Sequence, residues 1–258
     1  MQLSRNTFKQ EIQSAKPQIG IWSSLCSPIS AEVLAHSGFD WVLIDTEHSP
    51  NELPDVQVQL DAIATGPAEP IVRPAWNDTV LIKRFLDIGA RTLLLPYVQS
   101  AAEAQRGVAA TRYPPQGIRG VSGCTRANRY GRVSDYFTRV HDELCVLVQL
   151  ETRHALGALE DIAAVDGVDG IFIGPNDLAA DMGHLGDSRH PDVWRAIEDA
   201  ATRILRCGKA PGILVGEADG QRCLDLGFTF VAVGSDLVTL ARQTEALVAR
   251  FKQPAARR

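Results

Sequence analysis

The sequence has few lysines and no paired cysteines, and each shortage excludes a class of chemistry. Five lysines occur in 258 residues, and none directly follows an apolar run that could form a buried strand. A Schiff-base enzyme needs an inward-facing lysine amine, so that mechanism has no candidate here. Five cysteines are scattered along the chain without a Cys-x-x-Cys pair. This pattern predicts reduced thiols in a cytoplasmic protein and not a disulfide framework.

Long apolar runs and an excess of positive charge are also missing. No apolar run approaches the roughly twenty residues that a membrane-spanning helix needs, and the polar segment Met1–Lys16 does not resemble a secretory signal. The formal net charge is −5 and the sequence pI is about 5.7, which argues against nucleic acid or an anionic membrane as the main partner. We therefore expect small-molecule partners, no nucleic acid and no membrane.

Eight short apolar runs recur along the chain. Most are rich in valine, isoleucine and leucine without alternation, which is typical of strands that are covered on both faces. The predicted strands are Gln18–Leu25, Trp41–Asp45, Pro70–Pro74, Thr92–Tyr97, Cys145–Glu151, Gly170–Gly174, Gly212–Val215 and Phe230–Gly234.

Segments with helical apolar spacing separate these runs, among them Leu53–Ala64, Thr79–Ile88, Ala101–Arg112, Trp194–Cys207 and Leu237–Phe251. Ser30, Asn77, Ser100 and Asp219 are the predicted N-caps. Eight strands that alternate with helices predict an α/β fold, specifically a (β/α)₈ TIM barrel that spans residues 1–258 as one domain. The first βα turn has no Gly-x-Gly-x-x-Gly motif, which disfavours a dinucleotide site.

The segment Tyr113–Glu143 interrupts this alternation. It contains Pro114 and Pro115, several glycines and five arginines. Long irregular segments in compact domains are often lids or binding loops, so we expect this ordered segment to have a functional role.

Polar side chains gather at the predicted carboxyl ends of the strands, which is where βα-barrels hold their catalytic groups. The residues at these ends are Asp45, Glu47 and His48 after strand two, Arg73 at strand three, Gln149 and Glu151 at strand five, Asn176 and Asp177 after strand six, and Ser235 and Asp236 after strand eight. The sequence therefore predicts one polar rim.

Glu151 and Asp177 end consecutive strands and could share a divalent ion. Because no cysteine or histidine stands at matching positions, the ligands would be oxygens, which favours Mg²⁺ or Mn²⁺ over zinc. The alternative is that one acid caps a helix while the other pairs with Arg153.

Arg73 and His48 are the candidate catalytic groups on the same rim. A guanidinium at a strand end can bind a carboxylate or an oxyanion, although Arg73 could instead be a structural partner of Asp45 or Glu47. His48 is the histidine that follows a strand directly, and a neutral imidazole can act as a general base. Asp45 and Glu47 are expected to orient the groups that do the chemistry.

Several longer motifs together resemble the HpcH/HpaI aldolase family of metal-dependent pyruvate aldolases. They are Phe39-Asp40-Trp41 leading to Asp45-Thr46-Glu47-His48, Val72-Arg73-Pro74 with Trp76-Asn77-Asp78, Ala110–Pro115 with Gly117–Val121, Val148–Thr152, and Phe172–Leu178. The likeness covers almost the whole chain. It implies a pyruvate-type barrel that reversibly cleaves 4-hydroxy-2-oxo acids, such as 4-hydroxy-2-oxoheptanedioate, into pyruvate and an aldehyde. Hydroxypyruvate is a further substrate to test.

The resemblance also implies roles for individual residues. Glu151 and Asp177 match the metal ligands for Mg²⁺, Mn²⁺ or Co²⁺, His48 matches the base, and Arg73 matches the arginine that stabilises the transition state. Gln149, Asn176 and Asp177 match substrate-contacting positions. Asp87 matches an acid that supports the histidine from a neighbouring subunit. The implied assembly is a homohexamer in which C-terminal helices are exchanged.

The chain departs from the family pattern at Thr46 and Asn176, where glycine and alanine are common. These changes lie on the rim and are expected to affect the choice of aldehyde. Other functions that remain open are an aldolase for 2-keto-3-deoxy sugar acids, a malyl- or citramalyl-CoA lyase, and a silent barrel that only binds 2-oxo acids.

Overall fold

A closed barrel of eight parallel strands, hydrogen-bonded in sequence order, forms the centre of the protein in a computed structural model that describes residues 1–252. The strands are β1 (Gln18–Ser23), β2 (Trp41–Asp45), β3 (Glu69–Arg73), β4 (Thr92–Leu95), β5 (Cys145–Leu150), β6 (Gly170–Ile173), β7 (Ala210–Leu214) and β8 (Phe230–Ser235). β8 pairs with β1 and closes the ring. The predicted (β/α)₈ fold is confirmed.

Helices precede, surround and follow the barrel. They are α1 (Thr7–Gln13), α2 (Pro28–Ala35), α3 (Leu53–Ile63), α4 (Thr79–Asp87), α5 (Ala101–Thr111), α6 (Tyr136–Glu143), α7 (Arg153–Gly157), α8 (Leu159–Ala163), α9 (Pro175–Asp181), α10 (Pro191–Arg206), α11 (Glu217–Asp225) and α12 (Asp236–Phe251). The strands are buried along most of their length because helices cover the outer face and side chains fill the interior.

The predicted strand positions are correct to within about two residues, and some ends differ for identifiable reasons. The fourth strand stops at Leu95, before the predicted Tyr97, because Pro96 interrupts it and Tyr97 has a positive φ of 53°. The seventh strand begins earlier than predicted, at Ala210, and Pro211 lies within it. Pro211 has no N–H to donate, but its carbonyl still accepts the Thr229 N–H at 2.9 Å.

Three of the four predicted helix caps are wrong, and only Ser100 is confirmed. α2 is capped by Ser27, whose hydroxyl accepts the Ser30 N–H, so Ser30 lies inside the helix. Asp78 and not Asn77 caps α4, and α11 begins at Gly216 without a side-chain cap. Each error arises because several polar residues precede the helix, and sequence spacing does not reveal which one has extended backbone.

The barrel interior is filled by aromatic rings at the end where the strands begin. Trp41 and Phe230 lie with ring centroids 6.3 Å apart, and Phe8 of α1 packs edge-on to Phe230 at 5.8 Å. Two glycines make room for these rings. A Cβ atom would lie 2.1 Å from the Trp41 ring at Gly20 and 2.1 Å from the Phe230 ring at Gly212.

The irregular segment after α5 lies at this same end of the barrel. The Ala127 N–H donates to the Asp87 carbonyl at 3.1 Å, and Arg126 donates to the Ile88 carbonyl at 2.6 Å. These carbonyls follow the carboxyl end of α4, which has run back from the polar rim towards the starts of the strands. These contacts therefore place Arg126 and Ala127 at the end of the barrel opposite the polar rim.

The C-terminal helix α12 projects from the barrel with apolar side chains in solvent. The exposed residues are Leu237, Val238, Leu240, Leu247, Val248 and Phe251. Asp236, at its start, is the buried residue of the helix. Exchange of this helix between subunits remains a prediction. Among the helices of residues 1–252, none is long and apolar enough to cross a bilayer.

We expect the substitution Gly20→Ala to destabilise the protein because its new methyl group would overlap the Trp41 ring. Overpacking of this kind lowers the free energy of unfolding by about 1–3 kcal/mol. The control is Gly157→Ala, since a Cβ at that position meets no atom within 4 Å. Chemical denaturation would measure both variants, and equal stabilities would show that the interior can repack around Gly20.

Candidate active site

The carboxyl ends of β2 and β3 bring Asp45 and Arg73 together. These are the last residues of the two strands, and they are direct partners in the parallel register. The Arg73 guanidinium donates two hydrogen bonds to the Asp45 carboxylate, from Nε to Oδ1 at 2.8 Å and from Nη2 to Oδ2 at 2.8 Å. Both side chains are buried. The structural partnership of Arg73 with Asp45, left open by the sequence, is therefore present.

Arg73 is also in contact with Glu47. Its Nη1 lies 2.8 Å from Glu47 Oε2, but the atoms are misaligned for a hydrogen bond, so this buried oxygen has no directed donor. Burial raises the pKa of Glu47 even though the charge of Arg73 opposes the change. Burial alone would lower the pKa of Arg73, but the hydrogen bond and charge of Asp45 outweigh it, and the net pKa is raised. Arg73 is thus a permanent cation among acids.

Glu151 follows β5 and is fixed by two donors. Its Oε1 accepts the Tyr97 N–H at 2.9 Å, and its Oε2 accepts Gln149 Nε2 at 2.5 Å. Burial raises the pKa of Glu151 to about 7, and the nearby charges of Asp177 and Glu47 contribute although the Gln149 hydrogen bond opposes them. Gln149 Oε1 is buried without a partner. The buried Glu151 carboxylate therefore lies beside an amide group whose oxygen has no partner.

Asp177 stands in the first turn of α9, with its charge close enough to raise the pKa of Glu151. Neither alternative for this pair is observed. Gly174 precedes α9 as the cap residue, and Arg153 pairs with Asp181 at 3.0 Å. Gly174 also permits the close approach of α9, because a Cβ there would lie 2.5 Å from Glu151 Oε2.

His48 lies at the edge of this cluster. Its Nε2 is 3.8 Å from Glu47 Oε1, and 64 % of its side chain is exposed. The ring is thus open to solvent, and within the described chain its nearest acid lies beyond hydrogen-bond distance.

Asp87 is not brought to His48 within one chain. It ends α4, at the opposite end of the barrel, where its Oδ1 accepts a hydrogen bond from Arg119 at 2.8 Å. Arg119 is almost fully buried, and its guanidinium lies 4.6 Å from the centroid of the Tyr113 ring. The buried arginine holds one oxygen of a carboxylate that is itself only partly buried.

The two departures from the family pattern lie on the rim. Thr46 donates its hydroxyl to the Arg73 carbonyl at 2.7 Å, so it is a buried part of the β2–β3 junction. Asn176 lines a cavity of about 390 Å³ together with Arg189, Leu214 and Ser235. This cavity lies at the ends of β6 to β8, beside Asp177.

Comparison with known proteins shows which family this barrel belongs to. The family model described as HpcH/HpaI aldolase/citrate lyase matches residues 18–243. The chain belongs to this family. A relative from Klebsiella pneumoniae, named 4-hydroxy-2-oxo-heptane-1,7-dioate aldolase, is 58 % identical over 248 residues, which are 95 % of this chain and 94 % of that protein. A relative of the same name from Salmonella dublin is 56 % identical over 96 % of this chain and 95 % of its own.

A solved structure agrees with this membership. An HpcH/HpaI aldolase/citrate lyase family protein from Burkholderia cenocepacia superposes with a TM-score of 0.93 and 40 % identity, covering 96 % of this chain and all of that chain. The resemblance inferred from the motifs is confirmed, and this HpcH/HpaI family member is a carbon–carbon lyase of the aldolase class. The family uses divalent metal ions.

The residues of this HpcH/HpaI protein fit such an ion. Glu151 and Asp177 supply carboxylate oxygens, and the unpartnered Gln149 Oε1 points to a missing donor or bound group. Oxygen ligands suit hard cations such as Mg²⁺ and Mn²⁺.

Three residues that position the predicted site residues escaped the sequence prediction. Tyr97 donates its N–H to Glu151, and Gly174 permits the approach of Glu151 to α9. Arg119 binds Asp87 at the other end of the barrel. The positive φ of Tyr97 has no sequence signal. Gly174 and Arg119 stand inside the family motifs, but the motifs alone did not indicate their contacts.

The raised pKa of Glu151 predicts how the stability of the metal-free protein depends on pH. Its pKa is about 7 in the folded protein, against 4.5 for an unperturbed glutamate, so the folded state binds more protons between these values. The free energy of unfolding should therefore fall as pH rises through this window, by about 1–3 kcal/mol. With EDTA present, the stability of the Glu151→Gln variant relative to the wild type should therefore increase from pH 5 to pH 8.

A suitable control for that measurement is Glu160→Gln. Hydrogen bonding to Arg203 lowers the pKa of Glu160 to about 2, so its titration lies outside the measured range. The difference between this variant and the wild type should stay constant from pH 5 to pH 8. A constant difference for Glu151→Gln as well would show that Glu151 is ionised throughout.

Proposed function

We propose that this protein reversibly cleaves 4-hydroxy-2-oxoheptanedioate into pyruvate and succinic semialdehyde, through a pyruvate enolate. The observation that carries this proposal is the pairing of a permanent cation, Arg73, with an oxygen-only acid site at Glu151 and Asp177 on one rim. The names of the relatives from Klebsiella pneumoniae and Salmonella dublin indicate the substrate.

In the cleavage direction His48 removes the proton of the C4 hydroxyl group. The C3–C4 bond then breaks, the C4 oxygen becomes the aldehyde carbonyl, and the bonding pair moves from C3 towards the 2-keto oxygen. Protonation at C3 completes pyruvate. His48 suits this task because its ring is accessible on the rim and a carboxylate lies 3.8 Å away.

Arg73 stabilises the negative charge that develops on the keto oxygen. A guanidinium has five N–H donors, and two of them are engaged by Asp45, so donors remain for an oxyanion. The Asp45 bonds fix the plane of the guanidinium before substrate arrives. Pre-organisation of this type avoids reorientation during the reaction.

Glu151 and Asp177 would hold the divalent ion, with Gln149 beside it, while Asp45 and Glu47 orient Arg73. When bound, the ion supplies Lewis-acid stabilisation of the enolate charge. Among residues 1–252 no lysine stands at the carboxyl end of a strand, so no amine is available for the alternative Schiff-base route.

The function is tested by a retro-aldol assay that detects pyruvate from 4-hydroxy-2-oxoheptanedioate. We expect activity with Mg²⁺, Mn²⁺ or Co²⁺ and loss of activity after EDTA treatment, restored when the ion returns. Turnover that persists after full chelation, or covalent trapping of pyruvate by borohydride, would refute the metal-enolate route.

The substitution Arg73→Ala should lower kcat/KM by about 10²–10³-fold, since loss of an oxyanion donor typically costs about 3–4 kcal/mol. Arg153→Ala is the matched control, because Arg153 also follows a strand but pairs with Asp181, away from Glu151. Circular dichroism should verify folding, since Asp45 loses its buried partner. A kcat/KM within a few-fold of wild type would remove Arg73 from this role.

We further propose that Asp87 supports His48 of another copy in a homohexamer, since the two lie at opposite ends of one barrel. Subunit mixing tests this arrangement. His48→Ala and Asp87→Asn proteins, each weakly active, should recover activity when unfolded and refolded together, because some interfaces then join an intact His48 to an intact Asp87. The two variants refolded separately are the control, and a mixture no more active than their average would contradict a shared site.

A further inference from the structure

The connection between α9 and α10 brings together two histidines and an aspartate that the proposed reaction does not use. Backbone hydrogen bonds fold it tightly, from the His184 N–H to the Ala179 carbonyl at 2.7 Å and from the Asp187 N–H to the His184 carbonyl at 2.9 Å. The imidazoles of His184 and His190 consequently stack, with centroids 3.5 Å apart and planes inclined by 13°.

Asp192 completes this cluster from the first turn of α10. Its Oδ2 lies 3.8 Å from His184 Nε2 and 3.8 Å from His190 Nδ1. The other oxygen, Oδ1, is bound by Arg195. One carboxylate oxygen thus lies near two imidazole nitrogens, and the three residues each have a possible ligand atom within 4.8 Å of those of the others.

These separations approach those around a tetrahedral ion. Metal–ligand bonds of 2.0–2.1 Å place neighbouring ligand atoms about 3.3 Å apart, so each of the two nitrogen–oxygen separations of 3.8 Å must shorten by about 0.5 Å. The ring planes are inclined by only 13°, so the two lone pairs do not point to one ion, and at least one imidazole must also rotate out of the stack. All three residues are partly exposed, which leaves room for this rotation.

The hydrogen bonding of His190 also suits a ligand. Its Nδ1 accepts the Asp192 N–H at 3.2 Å, so this nitrogen is placed as an acceptor, as a metal ligand must be. An ion would take over that lone pair, and water could then satisfy the N–H at the start of the helix.

We propose that His184 Nε2, His190 Nδ1 and Asp192 Oδ2 bind a borderline transition-metal ion such as Zn²⁺, with water as the fourth ligand. Two nitrogens and one oxygen favour Zn²⁺ over Mg²⁺, in contrast to the oxygen ligands of Glu151 and Asp177. The site is therefore chemically distinct from the catalytic one and does not depend on the proposed reaction.

A bound ion would fasten this connection to the start of α10. Ser188 and Arg189 lie between the two histidines and line the cavity beside Asn176. The ion would thus hold one wall of that cavity and would touch none of the proposed reacting groups.

Zinc titration against a chromophoric indicator, with excess Mg²⁺ to occupy oxygen ligands, tests this site. We expect the wild type to bind Zn²⁺ at least about tenfold more tightly than the double variant His184→Asn, His190→Asn. His154→Asn is the matched control, since His154 is an exposed histidine on α7. The variant Glu151→Gln, Asp177→Asn should retain the tight zinc site.

Long-range ¹H–¹⁵N NMR of the imidazoles gives a readout independent of affinity. Zinc should shift the Nε2 resonance of His184 and the Nδ1 resonance of His190 in the wild type and leave His154 unchanged. The proposal is overturned if the double histidine variant binds zinc as tightly as wild type, if the Glu151 and Asp177 variant loses the binding, or if the wild type binds no zinc in the micromolar range.

Discussion

The buried pair of Asp45 and Arg73 is the interaction on which the catalytic rim depends. Burying two charges costs several kcal/mol for each ion, and a pair recovers this cost only when its geometry is good and its remaining donors are used. Here the strand register supplies the geometry, because the two residues end β2 and β3 side by side. The guanidinium also lies 5.5 Å from the Trp22 ring, which limits its movement. The pair therefore serves orientation more than stability.

The acids on this rim outnumber its cations, and this imbalance defines what the site can bind. Asp45 neutralises Arg73, while Glu47, Glu151 and Asp177 add negative charge near each other. Burial already favours the protonated form of Glu151, and further acids strengthen that preference. A bound divalent cation would offset both the burial of the Glu151 charge and its repulsion by the neighbouring acids. The same excess of acid would repel a carboxylate substrate, so an anionic substrate requires the cation as well as Arg73.

Much of this arrangement could be predicted from the sequence because a barrel converts strand ends into neighbours. The apolar run Trp41–Asp45 gave a strand with correct bounds, and the polar residues after it fell on the rim as expected. The positions of Arg73 and Glu151 on that rim follow from the same logic. Features that depend on backbone conformation could not be obtained in this way. Tyr97 has a positive φ that places its N–H on Glu151, and no residue pattern indicates this conformation.

Contacts between distant segments also could not be predicted from the sequence. Arg119 belongs to the irregular segment Tyr113–Glu143, and it meets Asp87 only because this segment folds back to the end of α4. The buried Arg119 binds one oxygen of Asp87, while the Asp87 carboxylate remains partly exposed at the end of the barrel opposite the polar rim. A βα-barrel places the ends of its strands and the ends of its outer helices at opposite faces, so any action of Asp87 on a rim histidine requires a second barrel.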